Sequence, residues 1–267
     1  MKILVLIFLL PFGAIAEMIS YSVSPGIVKF DTIKGGVKSF DLSFLNQGDD
    51  KLDINIETMD LTLDRDGVPD ISKVSNNKFQ WRQHVQLSKK RFSVDSKTHD
   101  KVSILLKTPR SASGSGYFAV VFNVSLQKKS NTKIIKDKNL MDISSQMPVL
   151  FIGNINRNGI PKIKVKKSVI NKAPYTSERP LKIRFTLENS GTAHVNVSGD
   201  VLLRHNGQVV ERLPLESGSG LILPGGERYF VATLSKYKKY SNKKLSAEAR
   251  FSYPGGRISK KINFMVK

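Results

Sequence analysis

Apolar residues recur at every second position along most of this chain, and no long stretch keeps a helical period with caps at its ends. Ile19, Tyr21 and Val23 alternate with polar residues, as do Phe40, Leu42 and Phe44, and then Leu52, Ile54 and Ile56. Alternation of this kind buries one face of a strand and wets the other. Turn chemistry separates the runs: Gly35-Gly36, Asn46-Gln47-Gly48, and Asp66-Gly67 followed by Pro69. Further strands are expected at Phe92–Val94, Val102–Leu106, Tyr117–Leu126 and Met147–Ile155. The stretch from Phe79 to Leu87 is the one place where a helical turn competes.

The second half repeats the plan. Ile163 and Val165 open it, and Leu181 to Leu187 alternate up to Asn189-Ser190-Gly191. Val195, Val197 and Val201–Leu203 follow, then the hairpin signal Asn206-Gly207, whose two central positions favour positive φ. Gln208–Leu213, Tyr229–Leu234, and a closing hairpin of Leu245–Tyr253 with Ile258–Val266 complete it. About seven short strands per half, with turns every 8–12 residues, predict an all-β chain in which each half is a sandwich of two antiparallel sheets. The alternative is one continuous barrel. Asn156-Arg157-Asn158-Gly159-Ile160-Pro161 reads as a linker and argues against it.

The start of the chain, MKILVLIFLLPFGAIA, has a positive first residue after Met1, an apolar run and a small-x-small ending at Ala14-Ile15-Ala16. That predicts a signal peptide over 1–16 and an extracytoplasmic address. The expected divisions are 1–16 (leader), 17–158 and 159–267. Cysteine is absent, so an exported chain would have no disulfides, cysteine nucleophiles or thiolate metal sites. Burial and sheet hydrogen bonds alone must hold each half.

Net charge is +21 and uneven. Residues 17–158 carry 21 Lys and Arg against 15 Asp and Glu, whereas 159–267 carry 21 against 7. Such a field attracts polyanions without specifying a fold. Outside the cytoplasm these are lipid headgroups, anionic polysaccharide and acidic proteins; nucleic acid is not an expected partner. The sharpest local feature is Lys236-Tyr237-Lys238-Lys239-Tyr240-Ser241-Asn242-Lys243-Lys244. Its lysines offer point charges, and its tyrosines offer a flat face to a sugar ring or membrane interface. The same stretch also reads as a solvated loop that keeps an adjoining edge from aggregating.

Catalytic and metal signatures are weak. Asp64, Asp66 and Asp70 around Gly67 lack the distal Glu of a calcium loop and read as a hairpin turn. His84, His99, His194 and His205 show no ligand spacing and read as solvated or turn residues. There is no Gly-x-Ser-x-Gly elbow; Gly218-Ser219-Gly220 reads as a strand connection, and Trp81 as a core residue. No enzyme activity and no cofactor or metal is expected.

Several segments carry a family resemblance. Val28-Lys29-Phe30-Asp31, Phe40–Asn46, Arg91-Phe92-Ser93-Val94, Gly116-Tyr117-Phe118 and Pro148–Ile152 resemble the N-terminal domain of the periplasmic pilus-assembly chaperones. Leu187–Gly191 and Pro224–Arg228 are similar to their second domain. The resemblance implies two tandem immunoglobulin-like β-sandwich domains. It also implies a non-catalytic periplasmic protein that captures or assembles a secreted or surface client by β-strand addition. The family's carboxylate-gripping Arg and Lys fall on Ile27 and Val149 here, so that pair is not matched. The edges expected to receive a client carry Ile19, Tyr21, Val23, Ile27, Val149 and Phe151. The alternative is an envelope adaptor or adhesin binding anionic polysaccharide or lipid through the cationic second half, by way of Lys236, Tyr237, Lys238, Lys239, Tyr240, Lys243 and Lys244.

Overall fold

The alternating runs named above fold as strands, although Ile19 precedes the first strand and Val197 falls between two strands. The computed structural model describes residues 19–71, 74, 77–127, 144–155 and 159–266. The expected leader, the polar stretch around 128–143 and the linker core at 156–158 lie outside the described residues.

The first half runs through β1 (Tyr21–Ser24), β2 (Ile27–Thr32), β3 (Val37–Asn46), β4 (Leu52–Met59), β5 (Thr62–Leu63), β6 (Pro69–Asp70), β7 (Val85–Leu87), β8 (Arg91–Val94), β9 (His99–Lys107), β10 (Ser115–Leu126) and β11 (Ser144–Ile155). One sheet has the order β1-β3-β9-β7 and the other β2-β11-β10-β4-β8; β5 and β6 form a separate small hairpin. The first strand run changes sheets at Pro25-Gly26: β1 pairs antiparallel with β3, and β2 pairs parallel with β11. A 3₁₀ turn at Arg82–His84 occupies the stretch where a helix competed.

The core lies between these sheets. Phe44, Phe118, Phe122 and Phe151 are fully buried, with Phe118 and Phe151 stacked at 4.6 Å. Truncating one such ring to Ala costs about 3–5 kcal/mol. Trp81 is core as expected, and its indole lies flat against Gly116: a Cβ there would come within 2.0 Å of the ring.

The second half contains β12 (Ile163–Ile170), β13 (Leu181–Asn189), β14 (Val195–Asn196), β15 (Ser198–His205), β16 (Gln208–Pro214), β17 (Leu221–Ile222), β18 (Glu227–Leu234), β19 (Lys244–Tyr253) and β20 (Gly256–Met265). Its sheets are β12-β13-β18 and β16-β15-β19-β20, with a two-stranded β14-β17 ribbon. The Asn206-Gly207 turn has φ of 49° and 83°, as its sequence predicts.

One hydrophobic cluster is drawn from residues between Val23 and Ile155, and a second from residues between Ile163 and Val266. A third, smaller cluster joins Leu61, Phe79, Tyr117, Val121, Leu150 and Ile152 of the first half to Leu223 of the second. Main-chain bonds cross the same joint, from Ser115 N–H to Thr192 O (2.8 Å) and from Tyr229 N–H to Arg65 O (2.7 Å). The linker is thus not the sole connection between the halves.

The same device closes the second long strand of each half. Asn46 ends β3 and is fully buried; its Nδ2 donates to the carbonyls of Asp50, Val94 and Asp95, and its Oδ1 accepts from Gly48 N–H. Asn189 ends β13 and does likewise. Its Nδ2 donates to Ala193 O and Ile222 O, and its Oδ1 accepts from the N–H groups of Lys162 and Gly191.

Candidate functional site

Two edges of the first half meet along one side of the sandwich. β1 is terminal in its sheet, and β2 is terminal in the other. The parallel pairing of β2 with β11 begins only at Ile27 with Leu150 and ends at Thr32 with Ile155. On its other side, β11 pairs with β10 along its whole length, from Ser144 to Asn154. Among the described residues, the stretch Ser144–Val149 therefore has a strand neighbour on one side only.

The direction of its main-chain groups follows from two bonds. Leu150 N–H points to Gly26 O on the β2 side, and Ile155 N–H points to Gly114 O on the β10 side. Main-chain groups alternate along a strand, so Ser144, Gln146 and Pro148 direct theirs toward the open edge. Pro148 lacks an N–H, which is common where an edge is exposed. Ser144 and Gln146 retain both donor and acceptor.

A groove of about 530 Å³ lies beside this stretch, bordered by Asp53, Arg91, Phe92, Asn123, Ser144 and Gln146. Its polar groups are partly tied together: Gln146 Nε2 donates to Asn123 Oδ1 (2.8 Å), and Ser93 Oγ donates to Asp53 Oδ1 (2.6 Å). Met147 on the open stretch is 37% exposed. Tyr21 stacks on Phe44 at 5.3 Å, and its hydroxyl donates to Ser145 Oγ (3.0 Å), linking β1 to the start of β11.

The expected edge residues divide. Ile27 is 54% exposed at the start of β2. Ile19 and Tyr21 pack partly against the core, and Val23 is buried in it. Val149 and Phe151 correct the expectation. Both side chains are fully buried, and from Leu150 onward β11 has strands on both sides. The open main chain lies just ahead of them, at Ser144, Gln146 and Pro148.

The lysine-rich segment is a 3₁₀ turn, Tyr237–Tyr240. Lys236, Lys238, Lys239, Lys243 and Lys244 are exposed. The expected aromatic face is corrected: Tyr237 and Tyr240 are buried in the second core. Their hydroxyls donate inward, to Tyr175 O (2.8 Å) and Glu211 Oε2 (3.0 Å). Tyrosines three apart on a 3₁₀ turn share one side, and that side faces the sandwich.

The expectation for His194 is corrected in part: it follows the bend at 191–193 but is not solvated, lying in the joint against Ser115, where burial pushes its imidazole down to about 4, with Lys29 adding to the effect and Asp31 opposing it. The aspartates around Gly67 form the expected turn, with Asp64 Oδ1 accepting from Asp66 and Val68 N–H. Among the described residues, no group of three His, Asp or Glu side chains is placed to hold a metal ion. Nor is any helix among them long and apolar enough to cross a membrane.

No family model and no curated protein sequence matches the chain. Solved structures do. One, of a chaperone–tip adhesin complex of CFA/I fimbriae biogenesis, is similar at 10% identity over 92% of this chain and 97% of that one, with a TM-score of 0.46. The Salmonella enterica SafA pilin–SafB chaperone complex gives 11% identity, coverage of 93% and 97%, and a TM-score of 0.44. The E. coli chaperone DraB gives 13%, 93%, 97% and 0.40. These are likenesses of outline at low identity.

Proposed function

We propose that this chain is a non-catalytic, exported, chaperone-like binding protein that takes up an extended segment of a secreted or surface protein by strand addition. The observation that carries the reading is the half-covered β11. β2 withdraws at Ile27, and among the described residues the main-chain groups of Ser144 and Gln146 and the carbonyl of Pro148 have no strand partner there. An incoming strand gains affinity from such main-chain bonds and specificity from pockets for its side chains. The groove bordered by Asn123 and Gln146 supplies one such recess. The sandwich beneath, with Phe118 and Phe151 stacked in its core, holds the edge rigid before binding, which reduces the ordering cost of association.

The test is site-directed photocrosslinking in the exported protein. A photoreactive residue replaces Gln146, and in a separate variant Lys101 on β9, away from the open stretch. The expected result is an adduct from position 146 that maps to one extended segment of an exported client and is absent from position 101. No adduct at 146, or equal adducts at both, overturns the proposal.

A further inference from the structure

The two ends of the second half differ in how many of their exposed lysines meet an acidic side chain. At the joint end, three cations share two glutamates. Lys164 reaches Glu188 at 3.3 Å, Lys166 lies between Glu188 and Glu227, and Arg65 of the first half reaches Glu227 at 2.7 Å. At the far end, Arg204 pairs with Glu248, but among the described residues a larger group of lysines does not pair. The β12–β13 connection, the β15–β16 turn, the β18–β19 turn and the last residues of β20 converge there. The registers Leu181 with Leu234 and Lys244 with Met265 fix this, as do the bonds of Tyr237 Oη to Tyr175 O and His205 Nδ1 with Lys244 O.

The five lysines of 236–244 are exposed at this end, with Lys172, Arg179 and Lys182 on the neighbouring connection. Among the described residues, none of these eight forms an ion pair with an acidic side chain. Glu211 accepts from Tyr240, and Glu178 is an exposed acid on the β12–β13 connection at this end. The lysines are also held in place. Tyr237 and Tyr240 anchor the turn in the core, and Asn242 N–H and Lys243 O bond to Val266 at the end of β20. Two large apolar side chains are exposed at the same end, Met265 at 55% and Val209 at 49%.

We infer that this far end of the second half docks on the phosphates of an anionic lipid surface. Exposed lysines with adjacent exposed apolar side chains are the combination that holds a protein at a bilayer interface. Lysine supplies a mobile point charge suited to a fluid array of phosphates, and all but one of the eight cations are lysines. A hydrated anionic polysaccharide gives Met265 and Val209 nothing apolar to bury against, whereas a bilayer interface does. The surface lies at the opposite end of the second half from the joint, so it does not cover the β11 edge. It stands independently of the strand-addition reading.

Cosedimentation of the mature protein with phosphatidylglycerol–phosphatidylcholine vesicles (about 3:7) against phosphatidylcholine alone tests this. Binding is expected only with phosphatidylglycerol. Changing Lys236, Lys238, Lys239, Lys243 and Lys244 to Gln should weaken it at least about tenfold. Changing Lys34, Lys38, Lys90, Lys101 and Lys107 to Gln alters net charge equally and should weaken it less than about twofold. Met265→Ser should weaken binding with no change in charge. All variants keep the two tyrosine anchors, and matching thermal melts verify their folding. Absence of vesicle binding, or equal losses from the two lysine sets, overturns the inference. So does tighter, equally lysine-dependent binding to immobilised alginate, which would assign the surface to polysaccharide.

Discussion

The hydroxyl of Ser115, in the first half, lies 2.8 Å from Nδ1 of His194 in the second. The same oxygen accepts the main-chain N–H of His194 at 2.7 Å, so one serine holds both the backbone and the ring across the joint. Burial, reinforced by Lys29 and opposed by Asp31, pushes the imidazole down from its ordinary 6.5 to about 4. An unfolded chain therefore takes up this proton before the folded one does. Stability from the neutral ring is complete above pH 6.5 and declines as pH falls toward 4, by about 3 kcal/mol. Urea unfolding at pH 7, 5 and 4 should show this loss in the wild type and a flatter profile in His194→Gln. An identical slope in both would remove His194 as its source.

Gly67, at φ +79°, lies directly over the Arg228 guanidinium, where a Cβ would come within 1.3 Å of Nη1. Arg228 is buried, and it donates through Nε and Nη2 to Ser217 O. Gly67→Ala both strains a left-handed backbone and displaces that side chain. A loss of about 1–3 kcal/mol is expected. Because the 64–68 turn caps the second half, thermal unfolding should also broaden or split in two. A single, unshifted transition would mean that the turn contributes nothing to the joint.

The strands and turns were legible because a half-buried sheet imposes its period of two directly on sequence. Phe40-x-Leu42-x-Phe44 needed no tertiary information to be placed. The inward tyrosines also left a local trace, since their spacing of three on a 3₁₀ turn puts both rings on one side. The rest depended on long-range placement. The extent to which β2 covers β11 is a register between residues more than a hundred positions apart, as with Ile27 and Leu150. Nothing near Val149 in sequence reveals that the open main chain stops just before it. The partner of His194 is 79 residues away, so its burial had no local signal.

Asn46 and Asn189 are fully buried and hold equivalent positions in the two halves. Replacing Asn189 with Ala leaves the carbonyls of Ala193 and Ile222 without their donor and the N–H groups of Lys162 and Gly191 without their acceptor. Unmet buried groups of this kind cost about 1–3 kcal/mol each when solvent cannot reach them. A total loss of roughly 3 kcal/mol is expected for Asn189→Ala, and a similar one for Asn46→Ala. Chemical denaturation measures both; losses under about 1 kcal/mol would show that water replaces the amide readily.

The strand-addition reading turns on the main-chain N–H of Gln146 rather than on its side chain. Gln146→Ala removes the amide bond to Asn123 but keeps that N–H. Gln146→Pro removes both. Because this N–H points away from β10, proline there breaks no ladder bond within the sheet, and both variants should melt within a few degrees of the wild type. One main-chain bond contributes about 1 kcal/mol, so Gln146→Pro should lower client capture about fivefold relative to Gln146→Ala. Crosslinking yield from a photoreactive residue at Ser144 reads the difference. Equal yields from the two variants would mean that affinity comes from side chains in the groove and not from an added strand.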